Sequence, residues 1–311
     1  MHVLITGATG FIGTRLCERL AQDGHTLTIL ARNPDSALGR VTTADRLFPW
    51  LPMISLAPLR VFENVDAVVH LAGESIAGRW NADKKHAIMD SRVVGTRNLV
   101  GAIEELETRP SVMVSASAVG YYADQGEDEI TEESPAATSF LADVCRAWEH
   151  EALQAEPLGV RVVRLRNALV LGPGGGALAA MLPPIKRGLG GPMGNGLQWW
   201  PWVHKDDVVG LITYAIENAA LDGAVNAASP QPVRQRDFAR TLAKLLKRPA
   251  FIRAPSFAVK LALGELGAEL LSSKRVIPRR ARDAGYEFRF PELGSALQDV
   301  LTPNDQTPSS S

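Results

Sequence analysis

Three glycines near the start of the chain have the spacing of a phosphate-binding turn. Gly7, Gly10 and Gly13 follow a short apolar run, Val3–Ile5, and open an amphipathic segment. In such a turn Gly7 allows a tight reversal, Gly10 lets the backbone approach a phosphate, and Gly13 lets the helix pack near the strand. The helix N-terminus then offers free N–H groups and a favourable dipole to an anion. The pattern predicts that the chain binds a dinucleotide through its pyrophosphate.

An arginine stands where such a dinucleotide would present its ribose. Arg32 follows the second apolar run, Thr26–Ala31, and lies 19 positions beyond Gly13. An acidic residue about 20 positions past the motif would bind the ribose 2′-hydroxyl of NAD, but Asp35 comes late and after a proline. An arginine can instead pair with a 2′-phosphate through charge-assisted hydrogen bonds. We therefore predict NADP(H) rather than NAD; the alternative is a solvated surface arginine.

Small residues end a later apolar run and extend the predicted cofactor site. Ala72 and Gly73 follow Val68–Leu71, and their small side chains would let a cofactor lie against the backbone. Glu74 and Arg79 come next, on a loop that could face the ribose or the pyrophosphate. The residues predicted to contact the cofactor are Gly7, Thr9, Gly10, Phe11, Ile12, Gly13, Arg32, Leu71, Ala72, Gly73, Glu74 and Arg79.

The composition limits the class of protein. The chain has 311 residues, of which 46% are hydrophobic and 22% are charged, as in globular domains. A net charge of −1 without a basic block argues against nucleic-acid binding. The apolar runs are too short for a membrane span, and the first residues do not resemble a signal peptide. Two scattered cysteines, Cys17 and Cys145, predict neither a disulfide framework nor a metal site, so we expect a cytoplasmic protein.

Strand and helix patterns alternate through the first two-thirds of the chain, with helices expected near 82–107 and 138–155. This alternation predicts an α/β fold with a doubly wound parallel sheet. We assign residues 1–171 and about 203–230 to a Rossmann NAD(P)-binding domain. Glycine-rich turns and mostly helical pieces predict a smaller C-terminal substrate lobe at about 172–202 and 231–301. The polar segment 302–311 is expected to be a disordered tail.

The motifs together resemble the extended short-chain dehydrogenase/reductase superfamily. The matching residues are Thr6–Gly13, His70–Gly73, Gly95, Thr96, Asn98, Val114–Ser117, Arg166, Gly172, Pro173 and Trp202–Asp206. A narrower resemblance, to "epimerase family" proteins labelled NAD-dependent or nucleoside-diphosphate sugar epimerases, covers nearly the whole chain. It rests on Ala72–Ile76, Gly120–Tyr122, Cys145–Glu149, Met181–Pro184, Gly188–Pro192, Gly264, Glu265, Pro278 and Ala284–Phe288. The resemblance implies a dinucleotide domain, a substrate lobe, and a possible homodimer formed through the helices near 82–107 and 138–155.

The resemblance also implies a catalytic serine with a Tyr-x-x-x-Lys pair, and here the pair is missing. Ser117 matches the serine. Phe140 or Leu141 stands where the tyrosine belongs, depending on a shift of one residue, and Val144 or Cys145 stands at the lysine position. Phenylalanine and leucine have no proton to exchange as the tyrosine does. Valine and cysteine cannot lower the pKa of a tyrosine as the lysine does.

Other side chains are candidates for the missing acid or base. Tyr121 and Tyr122 follow the Ser117 strand and could substitute, or could serve only in packing and hydrogen bonding. His204 could be a base or a structural histidine before a helix. We take Ser117 and Tyr122 as the candidate catalytic residues.

Two functions remain open. One is an NADP(H)-binding oxidoreductase or epimerase of unknown substrate with a non-standard catalytic set. The other is a catalytically inactive NADP(H)-binding sensor or assembly module. A nucleotide-sugar substrate is disfavoured, because Leu169 replaces the asparagine that sugar-nucleotide epimerases carry three places after Arg166.

Overall fold

A parallel sheet forms the centre of the molecule, which we describe from a computed structural model over residues 1–302. The expected disordered tail therefore lies outside the described residues, apart from Thr302. The strands are β1 (His2–Thr6), β2 (Thr26–Ala31), β3 (Arg46–Pro49), β4 (Ala67–His70), β5 (Val112–Ala118), β6 (Glu129–Ile130), β7 (Arg161–Asn167), β8 (Leu169–Leu171), β9 (Trp199–Trp200), β10 (Trp202–His204), β11 (Gly223–Ala227), β12 (Val233–Arg234) and β13 (Arg275–Val276).

Helices lie between many of the strands of the central sheet, as the sequence pattern predicts. They are α1 (Gly13–Gln22), α2 (Pro34–Leu38), α3 (Ala82–Glu104), α4 (Phe140–Leu153), α5 (Gly176–Lys186), α6 (Lys205–Glu217), α7 (Gln235–Leu245), α8 (Ser256–Leu263), α9 (Glu265–Leu271), α10 (Arg279–Asp283) and α11 (Leu293–Leu301). The segment 33–60 holds one short strand, β3, because its prolines interrupt regular structure.

The central sheet is doubly wound, which confirms the predicted fold class. Within residues 1–302 it has seven parallel strands in the order β11-β7-β5-β4-β1-β2-β3. Val3 and Ile5 belong to an apolar core that includes Leu16 of α1. Leu4 points to the opposite face and belongs to a second core with Leu99 of α3. Successive residues of a strand point to opposite faces, so a sheet covered on both sides gives the continuous apolar runs seen in the sequence.

The order of the strands reverses between β1 and β4. From β1 the sheet grows outward through β2 and β3, whereas β4, β5, β7 and β11 extend the other side. A crevice opens at the carboxyl ends of the strands where the order switches, and ligands of doubly wound sheets bind there. This geometry places the loops after β1, β2 and β4 around one crevice.

The C-terminal elements surround an apolar core of their own. Trp200, Trp202 and Phe238 are buried there, together with Leu242 of α7 and Leu297 of α11. Two of the three clustered tryptophans thus serve packing, and Trp199 stacks on the Arg234 guanidinium at 3.8 Å. The exact division into two lobes remains a prediction from the sequence. Among residues 1–302, no helix combines the length and the apolar character needed to cross a membrane.

Candidate functional site

The glycine turn after β1 is a tight cradle in which two glycines cannot be replaced without displacing backbone. Gly7 has φ +74°, and a Cβ there would lie 2.6 Å from the carbonyl carbon of Leu71. A Cβ on Gly13 would lie 2.2 Å from the Gly7 carbonyl oxygen and 2.7 Å from the Ala8 Cα. The first glycine therefore brings the turn against the loop after β4. The last glycine brings α1 against the turn, as the spacing predicts.

The same turn leaves backbone donors free at the start of α1. The N–H of Gly10 donates to the Gly7 carbonyl at 3.0 Å, and that of Thr14 donates to the Gly10 carbonyl at 3.1 Å. The N–H groups of Phe11 and Ile12 find no acceptor within residues 1–302. Free N–H groups at the positive end of a helix dipole form a site for an anion such as a pyrophosphate.

A cavity of about 680 Å³ opens at the switch point of the sheet. Of the twelve residues predicted to contact a cofactor, eight line it: Gly7, Thr9, Gly10, Arg32, Leu71, Ala72, Gly73 and Glu74. Its wall also includes residues that the sequence analysis missed, namely Thr6, Ala8, Leu30, Ala31, Asn33, Ser36, Trp50–Ile54, Ala87 and Ser91. The sequence gives little sign of the Trp50–Ile54 segment, because it follows the short strand β3 with no motif of its own.

The other four predicted residues lie beside the cavity rather than in its wall. Gly13 and Ile12 hold the start of α1. The Phe11 ring packs toward the glycine-rich turn before α5 and lies 4.9 Å from the Lys205 ammonium. Arg79 lies near Gly264, in the turn between α8 and α9. Contact of these side chains with a cofactor therefore remains a prediction.

A buried histidine ties the cradle to α3. The hydroxyl of Thr96 donates to the Arg92 carbonyl at 2.5 Å, so it accepts from His70 Nε2 at 3.0 Å. His70 Nδ1 then accepts from the Thr6 hydroxyl at 2.7 Å, whose oxygen accepts the Ala72 N–H at 3.3 Å. Burial, aided by the charge of Arg92, lowers the pKa of His70 to about 4. The neutral ring thus fixes β1, β4 and α3 relative to one another.

The charged residues around the cavity differ in whether they are paired. Glu74 accepts from the Lys84 ammonium at 2.6 Å. That bond holds the pKa of the Glu74 carboxyl below its usual range, and the charges of Arg32 and Arg92 act in the same direction. Arg32 is exposed and has no carboxylate within 4.0 Å among residues 1–302. The cavity therefore presents a free guanidinium at the end of β2.

The structure shows which of the alternative residues, Phe140 or Leu141, faces the end of β5 where the Tyr-x-x-x-Lys pair is missing. Leu141 lies against Gly120, at the carboxyl end of β5, and Cys145 Sγ donates to the Ala118 carbonyl at 3.6 Å. Phe140 instead packs edge-on against Trp80, with ring centroids 5.4 Å apart. Leu141 and Cys145 thus occupy the sheet-facing positions. Burial raises the pKa of the Cys145 thiol to about 11, so it stays protonated and uncharged near neutral pH.

The Ser117 hydroxyl is engaged in a buried ion cluster. It donates to Glu149 Oε1 at 2.7 Å. The Glu149 carboxylate also accepts two bonds from Arg166, both at 2.8 Å, and one from Arg164 at 3.2 Å. Glu149 is 4% exposed and Arg166 is 3% exposed. Ser117 lies outside the cavity wall, and its one proton is already donated to a carboxylate.

The Tyr122 hydroxyl also has hydrogen-bond partners, one for its proton and one for its oxygen. It donates to Asn226 Oδ1 at 2.7 Å and accepts from Arg166 Nη1 at 2.8 Å. Burial raises the pKa of Tyr122 above its ordinary value. The neighbouring Tyr121 is different: its half-buried ring lies 3.6 Å from the Arg166 guanidinium, and its hydroxyl has no partner within residues 1–302. Tyr121 is thus the more accessible hydroxyl of the two.

His204 has a structural position at the start of α6. Its Nδ1 accepts the Asp206 N–H at 3.1 Å, which caps the helix. Its ring lies 3.9 Å from that of Phe290. Of the two interpretations of this histidine, the structure thus favours packing and capping over base catalysis.

Comparison with protein families identifies the class of protein to which this chain belongs. Residues 3–228 match the model of the NAD dependent epimerase/dehydratase family. Residues 254–300 match a domain of unknown function, DUF1731. The chain therefore belongs to the NAD dependent epimerase/dehydratase family, as the resemblance in its motifs implies.

Several relatives match over almost their full length. "Epimerase family protein SDR39U1 homolog, chloroplastic" of Arabidopsis thaliana is 40% identical over 309 residues, covering 97% of this chain and 87% of the relative. "Epimerase family protein SDR39U1" of Homo sapiens is 37% identical over 306 residues, covering 97% and 100%. The crystal structure of the human protein, isoform 2, with NADPH superposes with a TM-score of 0.85. That match has 35% identity and covers 96% of this chain and 99% of the other.

Proposed function

We propose that this protein binds NADP(H) at the switch point of its sheet and uses it as an oxidoreductase or epimerase of still unknown substrate. One observation carries the proposal: Gly7, Gly10 and the unpaired Arg32 line a single cavity, and the free N–H groups of Phe11 and Ile12 lie beside it. A relative of 35% identity has been crystallised with NADPH, which supports the same cofactor here.

The residues present fit the chemical parts of the cofactor. The N–H groups of Phe11 and Ile12 would bind the pyrophosphate, and Arg32 would bind the 2′-phosphate. Leu71–Gly73 would form a wall against which the ribose lies, because small residues leave the backbone approachable. The apolar segment Trp50–Ile54 would shield the adenine ring. This assignment covers the nucleotide end of the cofactor.

The chemistry at the other end is non-standard. NADP(H), when bound, supplies or accepts a hydride. This chain must supply the accompanying proton transfer without a Tyr-x-x-x-Lys pair. Ser117 and Tyr122 remain the proposed catalytic residues from the sequence, although both hydroxyls are bonded inside the buried cluster. Tyr121, whose hydroxyl is free, is the alternative proton donor at this edge.

A specific observation favours the second function, a non-catalytic NADP(H)-binding sensor or assembly module. Leu141 and Cys145 fill the positions of the catalytic pair with buried, uncharged side chains. A site without the tyrosine and lysine of the catalytic pair can hold a nicotinamide ring without donating a proton to a substrate. The cofactor would then act as a ligand that reports its own concentration or oxidation state.

One experiment separates the two functions. Purified protein is incubated with NADPH or NADP⁺ and a panel of carbonyl, hydroxy and sugar-nucleotide compounds. Absorbance at the nicotinamide band and chromatography for epimers are followed. An oxidoreductase or epimerase turns over at least one compound class, and Arg32→Asp abolishes that turnover by removing the cofactor. Tight NADPH binding with no turnover across the panel supports the sensor and contradicts the enzyme.

Catalytic roles are tested in the same assay with Ser117→Ala, Tyr121→Phe and Tyr122→Phe. Loss of a proton donor lowers the rate about 100-fold or more while leaving NADPH affinity unchanged. Removal of a hydroxyl that has only a structural role instead lowers the free energy of unfolding by about 1–3 kcal/mol, because its buried hydrogen-bond partner is left unsatisfied. We expect the structural result for Tyr122→Phe, which leaves Asn226 Oδ1 without its donor, while Arg166 Nη1 keeps its bond to the Glu132 carbonyl.

The location and assembly of the protein are proposed only from its sequence. A cytoplasmic protein remains the expectation, although the Arabidopsis relative is named chloroplastic. For the proposed homodimer, the outward side chains of α4 and of the residue that caps it are polar: Asp143, Arg146, His150 and, at the cap, Gln154. A dimer through this helix would therefore have a polar contact, and light scattering at several salt concentrations would detect it as a salt-sensitive association.

A further inference from the structure

A second arginine contacts the cavity wall at the glycine turn without itself lining the cavity. Arg40 follows α2, and its Nη1 lies 3.5 Å from the carbonyl oxygen of Thr9. Thr9 lines the cavity together with Arg32, Asn33 and Ser36. Arg40 is thus anchored to a residue of the same cavity wall as Arg32, although eight positions separate the two arginines in sequence.

Neither arginine is neutralised by the protein. Within residues 1–302, no carboxylate lies within 4.0 Å of the guanidinium of Arg32 or Arg40, and both side chains are exposed. Nearby arginines behave differently: Arg15 pairs with Asp206 at 2.8 Å and Arg46 with Glu63 at 3.3 Å. Two unpaired guanidiniums around one concave rim favour an anion that carries close to two charges, as a phosphate monoester does.

Other groups at this end of the cavity are already satisfied. The N–H of Ser36 donates to Asn33 Oδ1 at 3.2 Å, and the Ser36 hydroxyl donates to the Asn33 carbonyl at 3.1 Å. The Glu74 carboxylate is held by Lys84. The free positive charge at this end of the cavity therefore comes from the two arginines.

We infer that Arg40 is a second ligand of the 2′-phosphate of NADP(H), closing on it from the Thr9 side while Arg32 approaches from the end of β2. The inference rests on the proposed NADP(H) site and extends it, because Arg40 stands outside the motif and outside the predicted set. Two guanidiniums bind a divalent phosphate more strongly than one, and neither gains from a bare 2′-hydroxyl. Arg40 thus determines the preference for the phosphorylated cofactor.

The test uses ligands that differ only in the 2′-phosphate. Adenosine 2′,5′-bisphosphate and adenosine 5′-monophosphate are titrated calorimetrically into the wild type, Arg40→Ala, Arg32→Ala and the control Arg240→Ala. Arg240 is an exposed arginine of α7. Arg40→Ala is expected to weaken the bisphosphate about tenfold and to leave the monophosphate within twofold. Arg240→Ala should change neither affinity.

The outcomes separate this inference from the proposed function. If the wild type prefers the bisphosphate but Arg40→Ala binds both ligands like the wild type, the role of Arg40 is wrong and the NADP(H) site stands. Equal weakening of both ligands by Arg40→Ala also contradicts the inference, since it indicates a damaged turn. If the wild type does not distinguish the ligands, both the NADP(H) preference and the role of Arg40 fail. Thermal unfolding of each variant checks that the fold is intact.

Discussion

The carboxyl ends of β1 and β2 leave polar donors free, whereas Ser117 near the end of β5 and Arg166 near the end of β7 are held in internal bonds. In the first region, which we call the nucleotide half, the N–H groups of Phe11 and Ile12 and the guanidinium of Arg32 find no partner within residues 1–302. In the second, the inner half, Ser117 and Tyr122 are bonded to buried partners. Unpaired donors beside a cavity indicate a ligand, whereas a hydroxyl already bonded to buried partners indicates a structural role.

The contrast distinguishes cofactor binding from chemistry on the cofactor, two properties that family membership alone does not distinguish. The nucleotide half keeps the features that hold a dinucleotide. In the inner half, Leu141 and Cys145 face the end of β5 where the resemblance implies a proton-transfer pair, and Ser117 donates to an ion cluster. Binding of the cofactor and chemistry on it can therefore be lost or kept independently, and variants in each half should have different effects.

The largest effect is expected in the nucleotide half, from Gly13→Ala. The new Cβ would lie 2.2 Å from the Gly7 carbonyl oxygen, so backbone must move. We expect the free energy of unfolding to fall by more than about 4 kcal/mol and NADPH binding to be lost, as measured by urea denaturation and by titration. Gly39→Ala is the control, because a Cβ there meets nothing within 4 Å. A Gly13→Ala protein with wild-type stability and affinity would contradict the cradle.

In the inner half, Glu149→Ala should destabilise the protein without a direct effect on the cofactor. It leaves the buried guanidinium of Arg166 without its carboxylate, which costs on the order of 3 kcal/mol. Urea denaturation measures this cost. In the fraction that is folded, NADPH affinity should stay within about threefold of the wild type.

The matched control for Glu149→Ala is Asp143→Ala on the same helix. Asp143 pairs with Arg146 at the surface, where both side chains are 50% exposed. Such a pair contributes at most about 1 kcal/mol. Equal losses in the two variants would show that the buried cluster is not the stabilising element of the inner half.

A pH dependence is expected from His70 on β4, the strand that lies between the two halves. Its pKa in the folded protein is about 4, below the ordinary value of 6.5. As pH falls below 6.5, the unfolded chain takes up the proton first, so stability is lost between about pH 6.5 and 4 and kept above that range. His70 alone should account for a loss on the order of 2 kcal/mol between pH 7.5 and 5.

The check is to compare urea denaturation of the wild type and His70→Gln at both pH values. His70→Gln should reduce the loss of stability on acidification by about that amount. His150→Gln, which changes an exposed histidine of α4, should leave the wild-type dependence in place. An unchanged pH dependence in His70→Gln would contradict the neutral, buried ring.

Much of the nucleotide half could be predicted from the sequence because its signals are local. The glycine spacing, the apolar strand before it and Arg32 after β2 all lie within one βαβ unit. The alternation of strands and helices likewise predicts the parallel sheet, since each helix must cross over to the next strand. Arg40 follows the short helix α2, and Trp50–Ile54 follows the short strand β3. Neither belongs to a recognisable motif, and only the folded chain brings them to the cavity wall or into contact with it.

The inner half could not be predicted because its partners are distant in sequence. The bond between Ser117 and Glu149 spans 32 positions, and that between Tyr122 and Asn226 spans 104. Whether Phe140 or Leu141 faces the sheet depends on the rotation of α4, which a shift of one residue changes by about 100°. The predicted catalytic roles of Ser117 and Tyr122 rest on position in a motif, and a motif does not reveal what a hydroxyl is bonded to.

The most direct test of the account is the preference of the wild-type protein between NADPH and NADH. NADPH should bind at least about tenfold more tightly than NADH, because Arg32 gains a charge-assisted bond only from the 2′-phosphate. Titration followed by nicotinamide fluorescence gives both affinities on one sample. Equal affinity, or tighter binding of NADH, would contradict the central claim that the cavity is built for a 2′-phosphorylated dinucleotide.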